Sequence, residues 1–336
     1  MSALPAPAPA AAIAWLAPAD QLALALRAPV LAPLSELGVI SVSGADAVSF
    51  LQAQLTNDTA GLDAARVQLN GYCTAKGRLL AVFDQWREGD AVLLQLPREI
   101  LPPVMKRLSM FVLRAKAKLE DASDRWATFG VVGPGAAARI AQAFGTAPDV
   151  NASHAAEGVR ISRLPDGTQA RERFVLRCAA TDAARLQATL GDVEVVDAGV
   201  WWWSQIDAAR PTVFASTQEA FVPQMINLEV LGGVNFRKGC YPGQEVVARS
   251  QYLGKLRRRM SLAHLAQGAA VAGSDVFFAG SADPAGKVVM AAAAPGGGMD
   301  VLLECPLDRI DEQSILIDGQ PAVRRPLPYA IVDVTA

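Results

Sequence analysis

Two stretches of this 336-residue chain concentrate residue types able to do chemistry. The first is Arg237-Lys238-Gly239-Cys240-Tyr241-Pro242-Gly243-Gln244-Glu245. A thiol is a nucleophile or metal ligand only as its thiolate, and neighbouring cations lower its pKa. Arg237 and Lys238 supply such cations to Cys240. Gly239 and Gly243 permit tight or left-handed backbone and the close approach of a ligand. Gln244 and Glu245 add polar heads able to bond a ligand or cap the next helix. The plain alternative is a glycine-rich turn around a packing cysteine, since free cysteines are usually buried.

The second stretch is Trp201-Trp202-Trp203-Ser204-Gln205-Ile206-Asp207. Three adjacent indoles cannot share one face of a helix, so at least one faces a cleft or a domain seam. A flat heteroaromatic ring stacks well on indole, and the Asp207 carboxylate suits an amino and ring N–H edge. Interdomain core is nevertheless the commoner use of tryptophan. Two smaller candidates are Tyr72-Cys73-Thr74-Ala75-Lys76-Gly77-Arg78 and Arg257-Arg258-Arg259. The first is a hairpin whose cations face either solvent or an anionic ligand tail. The second is a solvated strand end or a phosphate contact. His154 and His264 stand alone and read as structural.

These residues must be positioned by surrounding elements, and the pattern divides the chain. Residues 1–19 form an Ala/Pro tail with no amphipathic face. Val39–Ser43 alternates as a strand, Asp46 caps a helix presenting Val48, Leu51 and Leu55 on one face, and extended segments follow to Leu96. A helix near Arg98–Met110 and a strand at Val112–Leu119 complete a first α+β subdomain over 20–120. A second, over 121–197, reads βαββαβ, the ferredoxin-like arrangement. Its Trp126–Val132 strand and its helix through Phe144 are followed by a hairpin across Asp166-Gly167. The amphipathic Thr181–Leu190 helix and the Val193–Val196 strand close the unit. Residues 198–254 carry the motifs, and 255–336 breaks into short strands between Gly and Pro turns, which predicts an antiparallel β-barrel. The fold class is therefore α+β in three parts.

Composition excludes much else. Lys plus Arg total 31 against 33 Asp plus Glu, a net charge of −2, so strong direct nucleic-acid binding is not expected. Hydrophobic residues at 51% and charged residues at 19% are enough for sizeable cores. Four dispersed cysteines with no C-x-x-C, and only two histidines, argue against a stapled secreted module, a self-contained cluster loop or a multi-imidazole metal centre. No signal peptide or spanning segment is expected, and the reading is a cytoplasmic, reduced, monomeric protein without a membrane partner.

Lys238-Gly239-Cys240-Tyr241-Pro242-Gly243-Gln244-Glu245 resembles the K-G-C-[FY]-x-G-Q-E signature of the YgfZ family, folate-binding proteins related to the glycine-cleavage T-protein, an aminomethyltransferase. Val222-Pro223-Gln224, Asn227-Leu228, Gly232-Gly233 and Val246-Val247-Ala248-Arg249 agree, as do Gly44-x-Asp46-Ala47, Phe50-Leu51-Gln52-x-Gln54-Leu55-Thr56-Asn57-Asp58 and Ala75-Lys76-Gly77-Arg78. The likeness runs from about Leu37 to Tyr329. It implies a T-protein-like architecture around a central channel holding tetrahydrofolate or a derivative. It also implies a role in assembling or repairing iron–sulfur enzymes, including ones that modify tRNA, so the partners would be such clients or assembly proteins.

By the same resemblance Cys240 is the functional cysteine with Lys238 beside it. Trp201, Asp207, Tyr241, Gln244, Glu245 and Arg249 are the folate-side residues, and no metal ligands are expected. Asp207 stands where the T-protein has a glutamate, one methylene shorter. Leu37 replaces a family tryptophan, and Leu79–Phe83 offers no acid before Asp84, so glycine-cleavage activity is not expected. The leading expectation is a folate-binding accessory protein. The alternatives are a folate-dependent aminomethyl- or methyltransferase acting on a small molecule or tRNA, and a scaffold with a vestigial channel. Whether the protein is an enzyme stays open at this point.

Overall fold

The computed structural model describes residues 14–252, 257–310 and 314–331. The first described elements are α1 (Ala19–Ala25) and β1 (Val30–Pro33). The first unit runs β2 (Leu37–Ser43), α2 (Ala47–Gln52), β3 (Gln68–Cys73), β4 (Leu79–Glu88), β5 (Ala91–Pro97), α3 (Leu101–Ser109) and β6 (Lys118–Asp121). The second runs β7 (Trp126–Val132), α4 (Ala136–Phe144), β8 (Ser153–Ala156), β9 (Val159–Leu164), β10 (Arg173–Ala179), α5 (Ala183–Leu190) and β11 (Glu194–Val195). Their helices follow from apolar residues at helical spacing: Leu101, Val104 and Leu108 on α3, Ala136, Ile140 and Phe144 on α4, Leu186 and Leu190 on α5 are all buried.

The two units share one strand order. The first sheet is β3-β4-β5-β2-β6, and the second, read from the corresponding edge, is β8-β9-β10-β7-β1-β11. The difference is β1, which wedges between β7 and β11, antiparallel to the former and parallel to the latter. The N-terminal strand thus completes the sheet of the second unit.

Next come α6 (Ala198–Asp207) and α7 (Gln244–Tyr252), then β12 (Arg258–Leu265), β13 (Asp275–Phe278), β14 (Gly286–Ala293), β15 (Met299–Pro306), α8 (Leu307–Ile310), β16 (Ile315–Ile317) and β17 (Gln320–Arg325). Six strands close a barrel in which β12 pairs with both β15 and β17. The fold is the α+β, three-part arrangement expected from the sequence.

Helix α6 lies at the seam of the molecule. Every residue from Gly199 to Asp207 is buried, because α6 packs on β1 and β7 of the second unit and on β14 and β15 of the barrel. A helix enclosed on all sides needs no polar face, which accounts for three consecutive tryptophans.

Several local expectations change. Residues 14–18 belong to the packed structure: Trp15 stacks on Trp202 with ring centroids 4.7 Å apart and bridges to Ala292. The remainder of the expected tail, 1–13, lies outside the described residues. Asp46 occupies the N-cap position of α2 without a side-chain cap. Its Oδ2 instead accepts from the Lys116 N–H at 2.7 Å. The buried residues of α2 are Ala47, Phe50 and Leu51 rather than Val48. The strand expected at 112–119 is β6, displaced to Lys118–Asp121, because 110–117 makes a turn stitched by Ala115 to Val112. The Arg257–Arg259 run is not a solvated strand end throughout. Arg259 is buried and paired with Glu229, and Arg258 pairs with Glu304.

Candidate functional site

A cavity of about 940 Å³ opens where the two α+β units meet the segment after α6. Its walls include Asn57, Asp58 and Leu69 from the first unit, Arg163 and Arg173 from the second, and Arg210, Asn235 and Tyr329 from the later segments. The volume suits a drug-sized organic ligand. A second, 30 Å³ cavity shares Leu69 and Arg210 with it and is walled by Leu37, Asp84, Gln95, Trp201 and Gln205 among others. That space admits a water-sized group, not a ring.

Arg173 is the most unusual wall residue. It begins β10 and is fully buried. Its guanidinium donates to Ser204 Oγ at 3.3 Å, to the Pro165 carbonyl at 3.2 Å and to Gln205 Oε1, and lies 5.2 Å from the Trp201 ring centroid. Among the described residues no carboxylate is within ion-pair distance of it. Burial, with Arg210 adding to it, pushes its pKa down to about 9. A buried cation with only neutral partners is costly, and the adjoining cavity is where an anionic or carbonyl-rich ligand would relieve that cost.

Beside it Asp84, on β4, ties the units together. Its two oxygens accept from Arg177 of β10, at 2.8 Å, and from Arg210. Burial alone would raise the Asp84 pKa, but the two guanidiniums outweigh it and hold the carboxyl below its ordinary range. Arg177 also donates to Gln95 Oε1 at 2.9 Å and stacks over Trp86. Asp84 is therefore an ionised brace, poorly placed to give or take a proton.

The tryptophan helix divides its indoles among three neighbours. Trp202 Nε1 donates to Glu36 at 2.6 Å and Trp203 Nε1 to Asp300 at 3.0 Å. Trp201 is buried against β7, where Gly130 is required because a Cβ there would strike the indole. Its Nε1 is buried with no partner. Asp207 is spent on the protein itself: Arg171 binds it through Nε at 3.1 Å and Nη2 at 2.6 Å, and Thr168 also donates to it.

The cysteine motif forms a separate place. Lys238 Nζ donates to the carbonyls of Gln52, Leu55 and Asn57 at the end of α2, and lies 5.2 Å from the Tyr241 ring centroid. Burial pushes its pKa down to about 8, against the opposing pull of Asp58. Lys238 thus caps a helix end and pins the loop. Gly243, at φ +83°, rests on the β3–β4 turn; a Cβ would run into the Thr74 carbonyl and lie 2.7 Å from Gly77 Cα. Upstream, Thr56 Oγ1 donates to the Gly233 carbonyl at 2.7 Å and Asn57 Nδ2 to the Gly232 carbonyl at 2.7 Å. The motifs at 56–58, 75–78, 232–233 and 238–243 are one clamp.

Cys240 is exposed on this clamp, whereas Cys73, Cys178 and Cys305 are buried. Burial pushes those three thiols up to about 12, 11 and 12. Tyr241 is buried with an unpartnered hydroxyl, Gln244 begins α7, and Glu245 and Arg249 pair with each other at 3.2 Å on its exposed side. None of these residues, nor Lys238 or Asp207, lines the 940 Å³ cavity. The residues that the resemblance places on the folate side do not line this cavity together. Asp207 is consumed by Arg171, the Trp201 wall belongs to the small cavity, and Cys240 faces outward. Among the described residues, no cluster of three or more His, Cys, Asp or Glu side chains could hold a metal ion, and no helix is long and apolar enough to cross a membrane.

Sequence reasoning passed over Arg173 as a site residue. The available signal was an arginine at each end of Arg173-Phe174-Val175-Leu176-Arg177, inside a strand buried on both faces, where a charge requires a partner.

No family model matches the chain. It is 30% identical over 320 residues to the "tRNA-modifying protein YgfZ" of Pectobacterium carotovorum, covering 93% of this chain and 95% of the relative. It is 35% identical over 224 residues, 66% of each chain, to the protein of that name from Edwardsiella ictaluri. Among solved structures, the glycine cleavage system aminomethyltransferase T from Bartonella henselae superposes with a TM-score of 0.74 at 18% identity, covering 92% of this chain and 89% of that one. The fold is that of the T-protein, and the chain belongs to the YgfZ family.

Proposed function

We propose that this protein binds a reduced folate, tetrahydrofolate or a derivative, in the 940 Å³ cavity. In that state it supports the assembly or repair of iron–sulfur enzymes, including ones that modify tRNA, with Cys240 as its working thiol. The observation carrying the reading is Arg173, a fully buried guanidinium with no carboxylate partner among the described residues, in the wall of a folate-sized cavity. The T-protein fold and the tRNA-modifying name of the relatives support it.

Arg173 and Arg210 would hold the carbonyl and carboxylate groups of the folate, and Leu69 and Tyr329 would flank its rings. Trp201 walls the small cavity behind Leu69 and Arg210, outside the ligand's own space. Asp207 is paired with Arg171, and neither lines the cavity. A bound reduced folate supplies nitrogen atoms that carry one-carbon units. Transfer of such a unit would call for a carboxylate able to exchange a proton beside that nitrogen. Asp84, held ionised between two guanidiniums and outside the wall of the 940 Å³ cavity, is not placed for that exchange, whereas Asp58, Asp63 and Asp166 line it.

Equilibrium dialysis of the full chain against tetrahydrofolate should give one saturable site; none at millimolar ligand would reject the folate reading. In cells lacking the protein, wild type but not Cys240→Ser should restore an iron–sulfur tRNA-modifying activity. Equal rescue by the serine variant would reject the thiol's role.

A further inference from the structure

The segment 106–118 stands apart from the rest of the surface. It holds five cations, Lys106, Arg107, Arg114, Lys116 and Lys118, and no acid, in a chain whose net charge is −2. Among the described residues, Lys118 alone of these has a carboxylate partner, Glu120. Between them the turn after α3 presents three large apolar side chains to solvent: Met110 is 58%, Phe111 41% and Leu113 87% exposed. Leu113 has φ +45°, a left-handed conformation that costs a non-glycine residue about 1–2 kcal/mol. Three large apolar side chains exposed together in one turn are the kind of patch that marks a contact surface.

The position of this patch narrows its occupant. Lys116 N–H is bonded to Asp46 at the start of α2, and Lys238 of the cysteine motif caps the other end of the same helix. A six-residue helix is about 9 Å long. On the far side of the motif, Val246 and Tyr252 of α7 are also exposed. The cysteine motif and the cation-rimmed apolar tip thus hold opposite ends of α2. Apolar anchors including Met and Phe within a polar rim have the composition of a protein interface. A single partly exposed aromatic ring gives nucleic acid little to stack on.

We propose that the 106–118 tip is a docking surface for an acidic protein partner with an apolar pocket, an iron–sulfur assembly or client protein, which it seats across α2 from the cysteine motif. This rests on the function proposed above but uses residues outside the folate cavity. The rim cations would steer the encounter and the apolar tip would hold it.

The test replaces Leu113 in the full-length chain with p-benzoylphenylalanine and irradiates in cells, with the products identified by mass spectrometry. The expected product joins position 113 to an acidic iron–sulfur assembly or cluster-containing protein. That protein, once purified, should bind wild type at 50 mM NaCl, at least tenfold more weakly at 300 mM, and at least tenfold more weakly to Leu113→Ser and to the double variant Arg114→Glu, Lys116→Glu. Tetrahydrofolate dialysis of these variants should match wild type, which shows that they fold. Crosslinks only to RNA or lipid, no crosslink, or a captured protein that binds the charge-reversed variant equally well would each overturn the proposal. Loss of folate binding in wild type would instead strike the cavity reading and leave the crosslink result standing.

Discussion

The cavity and the cysteine clamp are built on opposite principles. The cavity is walled by charges withdrawn from water: Arg173 bonded only to neutral groups, and Arg210 held by an Asp84 that also binds Arg177. The clamp is held by backbone, through carbonyls gathered by Lys238 and a Gly243–Gly77 contact too close for any Cβ, and it leaves its thiol exposed. One region packs charge around a cavity, the other packs backbone around an exposed thiol. The residues that make the clamp recognisable in the sequence mostly hold chain to chain, whereas the cavity's chemistry is dispersed over three distant segments.

This contrast can be broken first at Asp84. Asp84→Asn leaves two buried guanidiniums without their shared anion and should destabilise the protein by about 3–5 kcal/mol, read from urea unfolding. The depressed Asp84 pKa contributes stability that is present above the unfolded value, about 3.9, and lost as pH falls through the lower folded value. The acid limb of the stability profile should therefore be shallower in the asparagine variant.

Gly243→Ala comes next. With φ +83° and no room for a Cβ it should cost about 2–4 kcal/mol, visible as a lower unfolding midpoint and faster proteolysis of the 238–243 loop. Lys238→Met removes the cap on the α2 carbonyls. It should cost about 1–2 kcal/mol while leaving folate affinity within twofold, since Lys238 is outside the cavity wall. Arg249→Ala should change stability by less than about 0.5 kcal/mol, because its pair with Glu245 is solvent-exposed. A large loss there would mean that α7 is packed more tightly than its exposed face suggests.

The sequence carried the architecture well because periodicity and turn chemistry are local. The β9–β10 hairpin, α5 and the barrel's Gly and Pro turns all announce themselves in a few residues. The insertion of β1 between β7 and β11 was not legible, since it joins residues 30–33 to strands about a hundred and more positions later. Trp15 was hidden for the same reason: its partner is Trp202. The motif around Cys240 was legible as a motif, but its relation to the cavity was not. A carboxylate's spacing from an indole does not reveal that Arg171, 36 residues upstream, will take it first. Arg173 and Arg177 looked like ordinary strand residues, and only the meeting of two sheets shows one paired with an acid and the other not.

The most direct measurement is tetrahydrofolate binding, by tryptophan quenching, to wild type, Arg173→Gln and Cys240→Ser, with near-ultraviolet circular dichroism confirming native packing. If the cavity and the thiol are separate working parts, Cys240→Ser binds within twofold of wild type and Arg173→Gln at least tenfold more weakly. Folate affinity lost with the thiol and kept without the Arg173 guanidinium would contradict that division.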